Sequence, residues 1–252
     1  MHKTIILTGL LLLLSAAAVF AGDEPIEFGG WGGLSIGASY LDLSDLNDFL
    51  DPVNFEKISS WRPYVGLAGH AIIFEKIVLG GRGGFSQVNA DDNDIELQFN
   101  AGWGQFEVGY AVLNGRYGVL APLLGIGGYG YNLTLDGPLW RLGHGLWEHD
   151  NADSIASGGR AIDKTPGKVN LSTGGLHSFI GVTYLYPVRF AQSEEGGFGM
   201  FLSGVTVGGT LQLLESGWRF DDGDELMGGP DIPFNTFFAV INIAFGGGTI
   251  IK

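Results

Sequence analysis

His177-Ser178 sets a general base beside a nucleophile, and His144-Gly145-Leu146-Trp147-Glu148-His149-Asp150 sets four metal-binding side chains within seven residues. An imidazole activates a hydroxyl only when the two lie within hydrogen-bond reach. Neighbours on an extended strand point to opposite faces, so no catalytic residue is expected at 177–178. The second run matches no zinc spacing, and Gly143 and Gly145 disfavour the helix that would align its ligands. It reads as an exposed loop holding no metal. Trp140 and Trp147, with His144 and His149, are its interaction candidates, because exposed aromatics on a loop tip must either pack back onto the protein or meet a receptor or glycan. Two acidic runs, Asp91, Asp92, Asp94, Glu96 and Asp221, Asp222, Asp224, Glu225, could bridge calcium or magnesium to lipopolysaccharide. Neither has the spacing of a calcium loop, and both read as solvated surface.

The elements that must carry these residues are strands. From Trp31 to Leu43, Leu34, Ile36, Ala38 and Tyr40 alternate with Gly33, Ser35, Gly37 and Ser39, the period of an extended chain. Phe237 to Phe245 repeats the pattern. Strands are predicted at 30–43, 60–74, 76–88, 94–112, 116–135, 174–188, 198–214 and 234–247. Short links at Phe74-Glu75-Lys76, Asn114-Gly115-Arg116 and 189–197 alternate with the links 44–59, 89–93, 136–173 and 215–233, most of them long and polar. An even strand count with tight turns at one end describes an all-β, transmembrane, antiparallel up-and-down barrel of about eight strands. Within 44–50 a short helical turn is expected, capped by Ser44, with Leu46 and Phe49 facing inward.

In that frame the inward face carries a polar network of Arg62, His70, Arg82, Glu96 and Glu107, with Gln98, Asn100, Asn132, Thr134, Thr206, Thr210, Gln212 and Asn242. The parity of apolar residues changes along 94–112, which a bulge near Gly104 would repair. An eight-stranded interior is only wide enough to be filled by side chains, so paired buried charges are expected; a narrow ion path is the alternative. Aromatic girdles are expected at Trp31, Tyr117, Tyr184, Tyr186, Phe201 and Phe245 at one interface, and at Tyr40, Trp61, Phe85, Tyr129, Tyr131 and Phe237 at the other.

Residues 1–21 have the basic start, apolar run and small-residue end of a cleaved signal peptide, which leaves 22–252 as one barrel domain. No later segment is apolar enough for a transmembrane helix. Gly is 44 of 252 residues and charged residues are 16%, against roughly 7% and about 25% in average proteins, which suits an exterior facing lipid. A net charge of -14 argues against nucleic acid as a partner. With no cysteine, the chain has neither a disulfide framework nor a lipid-anchor site. A soluble lipocalin-like barrel would set many charges on its solvated strand faces, where this chain sets Gly, Ser, Thr, Asn and Ala.

On these strands and loops the chain resembles the small eight-stranded outer-membrane barrels of the OmpA, OmpX, opacity and OmpW-like groups. That resemblance implies a monomer in a bacterial outer membrane, with lipid and lipopolysaccharide around it and a barrel-insertion machinery reading its end. It implies no cofactor and no enzyme activity, and a structural or surface-interaction role in its external loops. A narrow passive pore is the alternative and a lipid-modifying enzyme the second; His177-Ser178 departs from lipid A deacylase barrels, whose His and Ser share one face. A second departure is the terminus, where Phe245 is followed by Gly246 to Lys252 rather than ending the chain.

Overall fold

The computed structural model describes residues 25–51, 55–92, 95–137, 167–193, 197–226 and 229–250; residues 1–21, expected as a signal peptide, and the loop candidates Trp140, His144, Trp147 and His149 lie outside them. Its strands are β1 (Ile26–Tyr40), β2 (Trp61–Ile73), β3 (Ile77–Asp92), β4 (Ile95–Tyr110), β5 (Leu113–Gly115), β6 (Gly118–Gly137), β7 (Gly167–Gln192), β8 (Gly197–Glu215), β9 (Arg219–Phe220) and β10 (Phe237–Ile250). Every pairing is antiparallel. β1 pairs with both β2 and β10, and β6 joins β4 to β7, so eight long strands close in the order β1-β2-β3-β4-β6-β7-β8-β10. Closure gives each long strand a hydrogen-bonded neighbour on both sides through the middle of the ring, which a lipid environment demands. The short β5 takes over from β4 beside the start of β6, and β9 flanks β7.

Ile26, Ile250 and the tight turns share one end, here the turn end. Between the paired Ile73 and Ile77, Phe74 (φ 51°) and Glu75 (φ 62°) both take the left-handed conformation of a tight turn, closed by Lys76 N–H on Ile73 O (3.3 Å), without help from glycine. The expected Asn-Gly turn lies one step further on, at Arg116–Tyr117, because Gly115 pairs with Gly118. Asn114 is instead a tie. Its amide donates to Ile26 O (2.7 Å) and Glu75 O (2.9 Å) and accepts from Ile26 N–H (3.1 Å). Asn114→Ala strips partners from buried backbone and is expected to lower stability by about 1–3 kcal/mol, read as a lower urea midpoint of the micelle-folded protein with faster amide exchange at the start of β1.

Between the rims, the outward face of the described strands is apolar and free of charge. Leu34, Ile36, Leu67, Phe106, Leu124, Ile180, Val205 and Ile241 are all exposed. Rings border this belt, with Tyr110, Tyr117, Tyr186, Phe190 and Phe245 toward the turn end and Tyr40, Trp61, Phe85 and Phe237 toward the loop end. Trp31, Tyr129 and Tyr131, expected in the girdles, are buried inside the ring. A belt bounded by aromatics is the surface of a chain that spans a membrane.

Above the belt the polarity inverts. The upper parts of β3, β4, β6 and β7 form a wall whose outward rows are Gln87-Asn100-Asn132-Ser172, Asn89-Gln98-Thr134-Asn170 and Asp91-Glu96-Asp136-Lys168. Ile95, Leu97, Phe99, Leu133, Leu135 and Leu171 on its inner face are buried. Glu96, Gln98, Asn100, Asn132 and Thr134 therefore face outward, not into the lumen as expected. No bulge interrupts β4: Gly104 stays in register with Gly83 and Gly128. The change of parity marks the height at which the outer surroundings turn from lipid to water. A register shift does occur in the β7–β8 pairing, between Leu176 and His177.

The wall's inner face is covered by helix α1 (Ser44–Leu50), through Leu46, Phe49 and Leu50, and by Trp218, Leu226, Ile232 and Phe234 from the segment between β8 and β10. Ser44 is the first residue of α1 and not its cap; Leu43 holds the cap position without a side-chain cap bond, while Asp42 Oδ1 accepts from Ser44 N–H (3.0 Å) and Ser44 O–H (2.8 Å), and these bonds hold the Asp42 carboxyl below the usual range. Inside the ring, bulky rings fit only where facing positions lack a side chain. A Cβ on Gly84 would collide with the Tyr64 ring, and one on Gly208 with the Phe179 ring.

Candidate functional site

The ring brings five of the expected lumen residues together: His70, Arg82, Glu107, Thr206 and Asn242. Glu107, 0% exposed, takes His70 Nε2 at 2.5 Å and Arg82 Nε at 3.0 Å, and accepts from Gln105 Nε2 at 2.6 Å. Arg82 Nη2 donates to Thr206 (3.3 Å), which also bonds Thr183 (2.9 Å) and Asn242 Nδ2 (2.9 Å); Asn242 in turn accepts from Ser35 (2.7 Å). His177 Nε2 meets Gln105 Oε1 at 3.0 Å. The layer thus ties β1, β2, β3, β4, β7, β8 and β10 across the cross-section. β6 contributes none of these side chains, and its Gly127 leaves the room that Gln105 occupies.

His177 was not among the residues expected in the lumen, yet it is fully buried there. Its parity with Phe179 and Thr183 was the available signal. Ser178 lies on the opposite face, its hydroxyl on Leu211 O, so the pair forms no nucleophile and base. Gln105, Ser35 and Thr183 were missed as network members for a simpler reason: short polar residues on an alternating strand look the same whether they bond a charge or only fill space.

Apolar layers enclose the network. On the loop side Phe238 meets Tyr64 (5.8 Å, 6°), Phe179 (5.6 Å, 9°) and Trp103 (5.6 Å), and higher up Phe234 stacks on Tyr129 (4.6 Å, 5°). On the turn side lie Trp31, Val119, Leu185, Met200, Leu202 and Ala244, all buried. A cavity of about 10 Å³ beside His70, Arg82 and Asn242 has the room of about one water molecule, not of an ion path. Arg62 stands apart from this network, above it at the loop end, with its guanidinium over Phe99 at 4.6 Å.

On the outside of the wall, Asn89, Asp91, Glu96, Gln98, Thr134, Asp136 and Lys168 line a groove of about 460 Å³. Some of its polar face is already organised: Gln87 donates to Asn89 (3.0 Å), Thr134 to Asn170 (2.8 Å), and Asn170 to Asp221 (2.8 Å).

A closed eight-stranded antiparallel ring with a charge-free belt, aromatic rims and tight turns opposite long loops defines a membrane-spanning β-barrel of the outer-membrane type. No protein-family model matches the chain, and no curated protein matches it in sequence. Among solved structures, it is similar to Ail, the attachment invasion locus protein of Yersinia pestis, at 10% identity over 90% of this chain and 99% of that one, with a TM-score of 0.38. It is also similar to the outer membrane protein OprG from Pseudomonas aeruginosa (11%, 90% and 98%, TM-score 0.37) and to the outer membrane protease OmpT from Escherichia coli (12%, 90% and 97%, TM-score 0.34). The class of the chain rests on its own ring closure and belt.

Proposed function

We propose that this chain is a non-conducting, non-enzymatic protein of a bacterial outer membrane whose loop end makes the contacts that matter, with the outward face of the wall as a seat for the saccharide of the surrounding lipopolysaccharide. The observation that carries this reading is the polar grid that begins where the apolar belt stops. That height is the headgroup layer, and amide and hydroxyl side chains suit sugar hydroxyls. Its groove is of the size that encloses a small ligand. The sealed lumen weighs against passive transport. The same reading takes the protein as a monomer, inserted through β10 with the exposed Phe245 as its internal aromatic signal.

The test is thermal unfolding of the protein in bilayers of lipid A alone and of glycolipid with a complete core oligosaccharide. A higher midpoint is expected with the core sugars, and a variant combining Asn89→Ala, Gln98→Ala and Thr134→Val is expected to lose that increment while matching wild type in lipid A. Equal midpoints for wild type in both lipids would remove the saccharide from the reading.

A further inference from the structure

We propose that Arg62 anchors a small-oxyanion site enclosed beneath α1 at the loop end of the lumen, able to take phosphate, sulfate or a carboxylate. Arg62 is buried, at 2% exposure, yet Nε, Nη1 and Nη2 all lack a hydrogen-bond partner among the described residues. Its guanidinium lies over the face of Phe99, 4.6 Å from the ring centroid. A cation–π contact offsets only part of the desolvation of a guanidinium, and the rest calls for negative charge. Among the described residues no carboxylate meets it. Among the described residues Glu107 is the buried carboxylate, and Arg82 and His70 already hold it.

The surroundings narrow the chemistry. Phe99 touches Tyr131 (ring centroids 5.4 Å), and Tyr131 touches Tyr129 (5.3 Å). Both tyrosine hydroxyls are buried without a partner. One cation and two unused O–H donors in a single ring cluster are complementary to a group that is anionic and accepts several hydrogen bonds. A guanidinium's planar fork of N–H groups matches two oxygens of one oxyanion better than it matches a spherical halide. The polar layer and the Phe238 rings close the route from below. The way in is therefore past α1, whose Leu46, Phe49 and Leu50 share one core with Phe99 and Tyr131 and whose Asn47 is bonded in both directions to Ile58 (2.8 and 3.1 Å).

The experiment is thermal unfolding of the micelle-folded full chain in sodium phosphate, sulfate and acetate, each against sodium chloride at matched ionic strength and pH. Wild type is expected to gain several degrees, saturably, in at least one oxyanion. Arg62→Met is expected to lose that gain while being no less stable than wild type in chloride, since it removes an uncompensated charge. Tyr131→Phe is expected to weaken the apparent affinity several-fold. Absence of an oxyanion-specific gain in wild type, or an equal gain in Arg62→Met, would overturn the site. Should Arg62→Met fail to fold, Arg62→Lys keeps the charge without the fork, and a gain equal to wild type's would overturn the site in the same way.

Discussion

Glu107→Leu is expected to destabilise the barrel by about 3–5 kcal/mol, because it leaves the Arg82 guanidinium buried without its carboxylate. Arg82 would retain the 3.3 Å bond to Thr206 and the Phe238 face at 5.7 Å, neither of which carries compensating charge, and His70 would lose its 2.5 Å partner. The double variant Arg82→Met, Glu107→Leu removes both charges and is expected to recover most of the loss, since an apolar pair of similar volume often matches a buried ion pair. Urea unfolding followed by tryptophan fluorescence gives the coupling energy of the cycle. Simple additivity of the two single variants would mean that the charges do not compensate each other and that the network is held by its neutral hydrogen bonds.

The eight strands were readable because a barrel wall imposes a period of two on every strand, and His70, Arg82 and Glu107 were readable as inward because that period holds through the membrane. Glu96 was misplaced by the same rule. The rule "polar side inward" applies only where lipid lies outside, and β4 rises past the lipid into water while its pleat continues unchanged. Tyr129 and Tyr131 failed differently. Their ring chemistry suits an interface, but their odd numbers share the parity of Leu123, Leu133 and Leu135, and parity outranks residue type once the register is fixed. Arg62 was correctly placed inward, but its lack of a partner was not visible: a sequence gives no measure of which carboxylates reach which cations across a ring closed by residues far apart in the chain. Asn114 had the composition of a turn and the role of a tie, since its partners Ile26 and Glu75 come from distant parts of the sequence.

Phe238→Ala separates the two meanings of a filled interior. Phe238 is fully buried, touches Tyr64, Trp103 and Phe179 and carries the Arg82 guanidinium on its face, so its truncation is expected to cost about 3–5 kcal/mol by opening a cavity that rigid strands cannot collapse around. Yet conductance in planar bilayers is expected to stay at baseline for wild type and variant alike. The rings around Phe238 and the higher layer of Phe234, Tyr129, Trp218 and the α1 residues are seals in series, and opening one leaves the other closed. Discrete openings from demonstrably folded wild-type protein would show that the lumen is breached in the membrane and would return the narrow-pore reading to first place. Openings confined to Phe238→Ala would instead locate the working seal at that ring and make the α1 cap permeable to ions.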